Sequence, residues 1–121
     1  MRIAAFRVLG CAVVLATLCV GCDVERRKSD AELGLTPQQV FGRHIYEQYC
    51  ARCHSAYSSR GRKGPSLQGV FKKQYLSQSG MPANDDRVGD IIRIGRNKMD
   101  GFGNVLSDQQ VQDLLAYLHT L

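Results

Sequence analysis

Residues 49–55 read YCARCHS. Two thiols three residues apart, with an imidazole directly behind the second, can hold a metal, run thiol–disulfide exchange or take a haem. With five cysteines and three histidines in 121 residues, a chance Cys-x-x-Cys-His match has odds of about one in two hundred. The motif therefore calls for a chemical explanation.

The elements around it separate the three chemistries. A redox motif of the thioredoxin type expects a strand before it and a βαβ setting. Here the preceding segment reads as a helix. Thr36-Pro37-Gln38-Gln39 offers an N-cap threonine, proline at the first helical position and glutamine three residues after the cap, which is a capping box. Val40, Phe41, Ile45, Tyr46 and Tyr49 recur near helical spacing and are expected to form one apolar face. A closed zinc site needs four ligands. Beyond Cys50, Cys53 and His54 the chain after Cys22 has no further cysteine and only two histidines, His44 and His119, singly placed and expected to be partly exposed side chains. Haem needs no more than the motif supplies: two thiols on one turn can reach the two vinyl groups of a porphyrin, and the next residue sets an imidazole beneath the iron. Cys50 and Cys53 are then thioether links and His54 the proximal ligand.

Composition suits such a group. The length fits one domain, and 44% hydrophobic with 22% charged residues is ordinary for a globular chain. Only 7% aromatic residues and no Trp leave a small core, which an apolar prosthetic group at its centre would stabilise. Residues 1–21 read as an export signal: Arg2 and Arg7, an uncharged apolar run over 8–20, and Gly21 before Cys22. That run is too short to span a bilayer, which takes about 20 apolar residues. LCVGC resembles a bacterial lipobox in which Cys22 is acylated, although Cys19 stands where that pattern usually has Leu. Residues 22–35, charged and without apolar periodicity, are expected to be a solvated tether. With Cys11 and Cys19 removed in the signal, only Cys50 and Cys53 remain in the folded part, residues 36–121.

Two further helices are legible. Ser107 with Gln110 makes a second capping box, and Val111, Leu114, Leu115 and Leu118 form one buried stripe. Asn84 can cap a helix whose Asp85 and Asp86 suit its positive end and whose Val88, Ile91 and Ile92 face inward.

The segments GRHIYEQYCARCH, KGPSLQGVF, IIRIGRNKMDGFGNVLS and DLLAYL, in this order, make the chain similar to monohaem class I cytochromes c over 36–121. The resemblance implies an all-α cytochrome c fold of three main helices and a short one near 72–77, around one covalently bound haem c. It implies that the Pro65 carbonyl accepts the second N–H of His54 and that Leu67 packs on the ring. The first and last helices are expected to cross, with Gly42 allowing close approach and Tyr46 packing on Leu114 and Tyr117. For the sixth ligand, Met99 falls where the family has its methionine loop, whereas Met81 precedes the third helix. Asp100 and Gly101 follow Met99 in place of the family's usual proline, so a looser loop is expected there.

A thioether on the iron would make the protein a one-electron carrier, and an open site would suit gas or redox sensing. The expected function is electron transfer in the periplasm, tethered by lipid to a membrane; the alternatives are a sensor or the cytochrome subunit of a particular dehydrogenase. Without residues 1–21, 14 Lys+Arg stand against 11 Asp+Glu, a net of +3. Arg60, Arg62, Lys63, Lys72 and Lys73 follow the motif, and Arg96 and Lys98 precede Met99. In the family this region surrounds the haem edge, so redox partners with acidic docking surfaces are expected. Nucleic acid is not.

Overall fold

The computed structural model describes residues 27–121. The export signal and Cys22 lie outside the described residues. Four helices follow in order: α1 (Asp30–Leu33), α2 (Pro37–Ile45), α3 (Asp85–Ile94) and α4 (Asp108–Leu118). The arrangement is mostly helical, an all-α cytochrome c fold.

Local chemistry starts each helix where expected. Thr36 Oγ1 accepts from Gln39 N–H at 3.3 Å while Gln39 Oε1 accepts from Thr36 N–H at 2.9 Å. Ser107 and Gln110 repeat the exchange on α4 at 3.2 and 2.8 Å, and Asn84 Oδ1 accepts from Arg87 N–H at 3.0 Å on α3. These bonds satisfy donors that a helix N-terminus otherwise leaves open.

Helices α2 and α4 cross through Gly42. A Cβ there would lie 1.9 Å from the Asp113 carbonyl oxygen, so only glycine permits this approach. Tyr46 packs on Tyr117 with ring centroids 5.5 Å apart, and Val111, Leu114, Leu115, Tyr117 and Leu118 are buried. From α3, Val88 and Ile92 join them.

The crossing also sets the rotation of α2, and this corrects the expected apolar face. The buried stripe runs through Gly42, Ile45 and Tyr46, while Phe41 is 64% exposed and Arg43 is buried. With Gly42 at the point of contact, residue 41 turns 100° away from the partner helix. Two further expectations shift. The short helix is a single 3₁₀ turn at Val70–Lys72, and the following residues instead fold back on themselves, with Leu76 N–H donating to the Met81 carbonyl at 2.8 Å and Ala83 N–H to Gln74 at 3.0 Å. The described part of the tether is not featureless either: Ser29 and Glu32 form a third capping box and Gly34, at φ 62°, ends the turn.

Candidate functional site

The attachment motif sits where α2 loosens. After Ile45 the helix widens over Tyr46–Cys50, and Ala51 N–H reaches back five residues to the Tyr46 carbonyl at 2.9 Å. Wider turns of this kind are frequent at functional sites. Cys53 and His54 N–H groups both close on the Cys50 carbonyl, at 3.0 and 2.9 Å. The two thiols and the imidazole thus occupy one compact turn.

Four carbonyls of this turn and just after it are taken up by the loop behind it and by Tyr46. Arg62 Nη1 donates to the Ala51 carbonyl at 2.7 Å, Gly64 N–H to Cys53 at 2.8 Å, Tyr46 O–H to His54 at 2.8 Å and Leu67 N–H to Ser55 at 2.9 Å. Ser55, itself buried, donates to the Arg60 carbonyl and lies 3.2 Å from that of Ser58. Ser66 donates to the same Ser58 carbonyl at 2.6 Å.

His54 is oriented by this loop. Its Nδ1 lies 2.8 Å from the Pro65 carbonyl oxygen. A carbonyl can only accept, so Nδ1 carries a proton, and in the neutral ring Nε2 is then the nitrogen with a lone pair for a metal. Gly64 lies flat against the ring: a Cβ there would stand 2.5 Å from Cε1 and 3.0 Å from Nε2. The type and spacing of Gly64 alone assign it no role, and its place directly before Pro65 is the signal the sequence carries.

The Cys50 thiol is ill suited to redox exchange. Burial, and then the neighbouring Cys53, push the Cys50 thiol up to about 11. At neutral pH it is almost wholly protonated, whereas exchange requires a thiolate. Among the described residues no three His, Cys, Asp or Glu side chains form a metal-ligand cluster.

Met99 lies on a short antiparallel ribbon, β1 (Gly95–Arg96) paired with β2 (Met99–Asp100), in the register Gly95 with Asp100 and Arg96 with Met99. Asn97 makes the turn at φ 53°, a conformation that Asn tolerates better than most residues. Beyond the ribbon, Phe102 N–H donates to the Ile92 carbonyl at 2.8 Å and Gly103 N–H to Arg93 at 2.9 Å. A Cβ on Gly101 would come within 2.6 Å of the Ile94 carbonyl group. The expected looseness after Met99 is therefore corrected: Gly101 serves close packing against the end of α3.

Phe102 meets Tyr49 edge to face at 5.9 Å, which brings the Met99 segment against the residue preceding Cys50. Met99, Leu67, Tyr49, Phe71, Leu76 and Phe102 all pack on the core while only partly buried. Met81 has another neighbour: Arg96 Nη1 points at its sulfur from 3.8 Å. His44 and His119 are exposed, and His119 stacks on Phe71 at 3.8 Å while its Nε2 meets Asp85 at 2.6 Å. The donor set fits a haem: two thiols and an imidazole on one turn, the imidazole Nδ1 committed to Pro65, beside apolar side chains not fully committed to the core.

Comparison with known proteins agrees. Residues 38–118 match the family described as cytochrome c oxidase, cbb3-type, subunit III. The chain is 34% identical over 79 residues to a cytochrome c6-like protein of Nostoc sp. (strain PCC 7120 / SAG 25.82 / UTEX 2576), covering 65% of this chain and 67% of that one. It is 31% identical over 77 residues to cytochrome c6 of Parathermosynechococcus lividus, covering 64% of this chain and 83% of that protein. No solved structure gives a significant match. The fold and the attachment turn define a protein that carries one covalently bound haem c. The chain belongs to the family its residues 38–118 match, as a monohaem class I cytochrome c, and its function is haem-based electron transfer.

Proposed function

We propose that this protein is a one-electron carrier whose iron is held between His54 and Met99, working in the periplasm from a lipid anchor on Cys22. The chain would divide into an export signal (1–21), a linking segment (22–35) and the cytochrome domain (36–121). Haem c, linked through Cys50 and Cys53, supplies the Fe(III)/Fe(II) couple.

The observation that carries this reading is the His54 Nδ1 bond to Pro65 at 2.8 Å, which commits one ring nitrogen and presents the other as a ligand. Leu67 adds an apolar contact. Met99 is favoured as the sixth ligand because the ribbon fixes its backbone and Phe102 ties its segment to Tyr49, whereas the Met81 sulfur faces the Arg96 guanidinium. Arg60, Lys63, Lys72, Lys73 and Lys98 are exposed. Together with exposed Ile94 and Val105 on the Met99 side they suit a redox partner with an acidic docking surface, and docking of this kind weakens as salt rises. The family's description favours one variation, a relay subunit of a larger oxidoreductase.

The test is ligand replacement in the haem-loaded protein. Met99→Ala is expected to lower the reduction potential on the order of 100 mV, within the roughly 0.8 V that axial ligation spans, and to open the ferrous protein to carbon monoxide. Met81→Leu should change neither. Ready carbon monoxide binding by the wild type at neutral pH would sink the carrier reading in favour of a sensor.

A further inference from the structure

The segment before α2 is held chiefly by one buried guanidinium. Arg43 is 6% exposed, and its three nitrogens are all engaged: Nη1 donates to Asp30 Oδ1 at 2.6 Å, Nη2 to the Lys28 carbonyl at 2.6 Å and Nε to Glu47 Oε1 at 3.2 Å. Arg27 reaches the other Glu47 oxygen at 2.5 Å. Burial alone would push the Arg43 pKa down, but the hydrogen bond to Asp30, with the charges of Tyr57 and Asp30 and the bond to Glu47, together hold it above its ordinary value. Between these contacts, the Ser29–Glu32 capping box and the Gly34 cap hold the chain in one turn. Leu35 N–H closes on the Asp30 carbonyl at 3.2 Å, and Leu35 packs against the core.

The path of the chain follows from these bonds. Thr36 caps the start of α2, yet Arg27 lies beside Glu47, three residues before Cys50. The segment has doubled back along the helix. Pro37 and Glu47 are ten residues apart along the helix, about 15 Å of rise, so Arg27, the first described residue, lies toward the attachment end of α2.

We propose that residues 27–35 are an orienting strap, locked by Arg43, that holds the haem-attachment end of α2 toward the lipid surface carrying the Cys22 anchor. The orienting role rests on the proposed anchor at Cys22; the strap's contacts do not. Reach decides between holding and swivelling. From Cys22 to Arg27 an extended chain spans at most ~18 Å, and to Thr36 it would span ~50 Å. A domain of this size has a radius of gyration of about 12–13 Å, hence a width near 30 Å. The shorter reach is less than that width, so a strapped domain cannot turn over above the membrane, and an unstrapped one can.

The experiment uses the processed, haem-loaded, full-length protein on phosphatidylcholine vesicles with a headgroup fluorophore that the haem quenches. Wild type is compared with Arg43→Gln and with Asp30→Asn, which leaves Arg43 its Glu47 and Lys28 partners in case the first variant does not fold. Backbone amide exchange over 29–35 is expected to be roughly tenfold faster in Asp30→Asn than in wild type. Fluorophore quenching is expected to fall at least about twofold, as the longer free chain lets the domain move away. Wild-type strap amides that exchange as fast as an unstructured chain would overturn the strap itself. Quenching that stays the same in a variant with released amides would overturn its orienting role. A wild type absent from the vesicles would overturn the anchor, and with it the orienting role, while strap protection would still stand.

Discussion

The loop that supports His54 and the segment that carries Met99 are both short and irregular, yet the balance of bonds that holds them differs. Behind His54, main-chain bonds from Gly64 and Leu67 are joined by side chains that reach backbone: Arg62 to Ala51, Tyr46 to the His54 carbonyl, Ser66 to Ser58 and the imidazole itself to Pro65. Around Met99, backbone meets backbone, in the ribbon and in the bonds from Phe102 and Gly103 to the end of α3. The first arrangement places a ring nitrogen to within a hydrogen bond, at the cost of depending on particular side chains. The second tolerates most side chains but not an added Cβ at its closest approach. Each depends on glycine at its closest approach: Gly64 meets a ring, whereas Gly101, with Gly95 and Gly103 beside it, meets main chain.

Three substitutions would break or sharpen this contrast. The largest effect is expected from Gly64→Ala. Its Cβ would overlap an imidazole that can move neither toward Pro65 nor away from its own turn, and overpacking of this kind costs about 3 kcal/mol. Denaturant unfolding of the haem-loaded protein should show that loss together with an altered ferric spectrum. Gly101→Ala is next, at about 1–2 kcal/mol, because the exposed ribbon can lift away from α3 to relieve the overlap. It should weaken the absorption that reports a Met–iron bond and leave the His54 side unchanged. A larger loss from Gly101→Ala than from Gly64→Ala would reverse the contrast. The smallest is Arg62→Gln, which removes the bond to the Ala51 carbonyl from an exposed side chain. Roughly 1 kcal/mol or less is expected, with no change in axial ligation by near-infrared spectroscopy.

How much of this was legible in the sequence depended on range. The capping boxes at Thr36 and Ser107 are local, and their residues alone predict them. The same spacing at Ser29 and Glu32 was equally available, but the charge of the tract around it suggested a solvated tether. Periodicity located α2 without fixing its rotation, which is set by Gly42 against a helix seventy residues away, so Phe41 was expected inside and Arg43 was not. The firmness of the Met99 loop lies in bonds to Ile92 and Arg93 and in a ribbon register, none of which residue types announce. The Pro65 bond to His54 came from the family resemblance rather than from spacing.

The contact at Gly42 also bears on how the chain finds its structure. Asp113 meets Gly42 only after the whole haem-attachment turn, the 3₁₀ turn, α3 and the Met99 ribbon have been looped out between them. Closing a flexible loop of about 70 residues costs on the order of 4 kcal/mol of chain entropy, and until that closure is made α2 cannot bury its stripe and α4 has only α3 to pack on. Helix formation itself takes a microsecond or less. The folding rate of this domain is therefore expected to be set by the encounter of its first and last long helices, with everything between them ordered as a consequence.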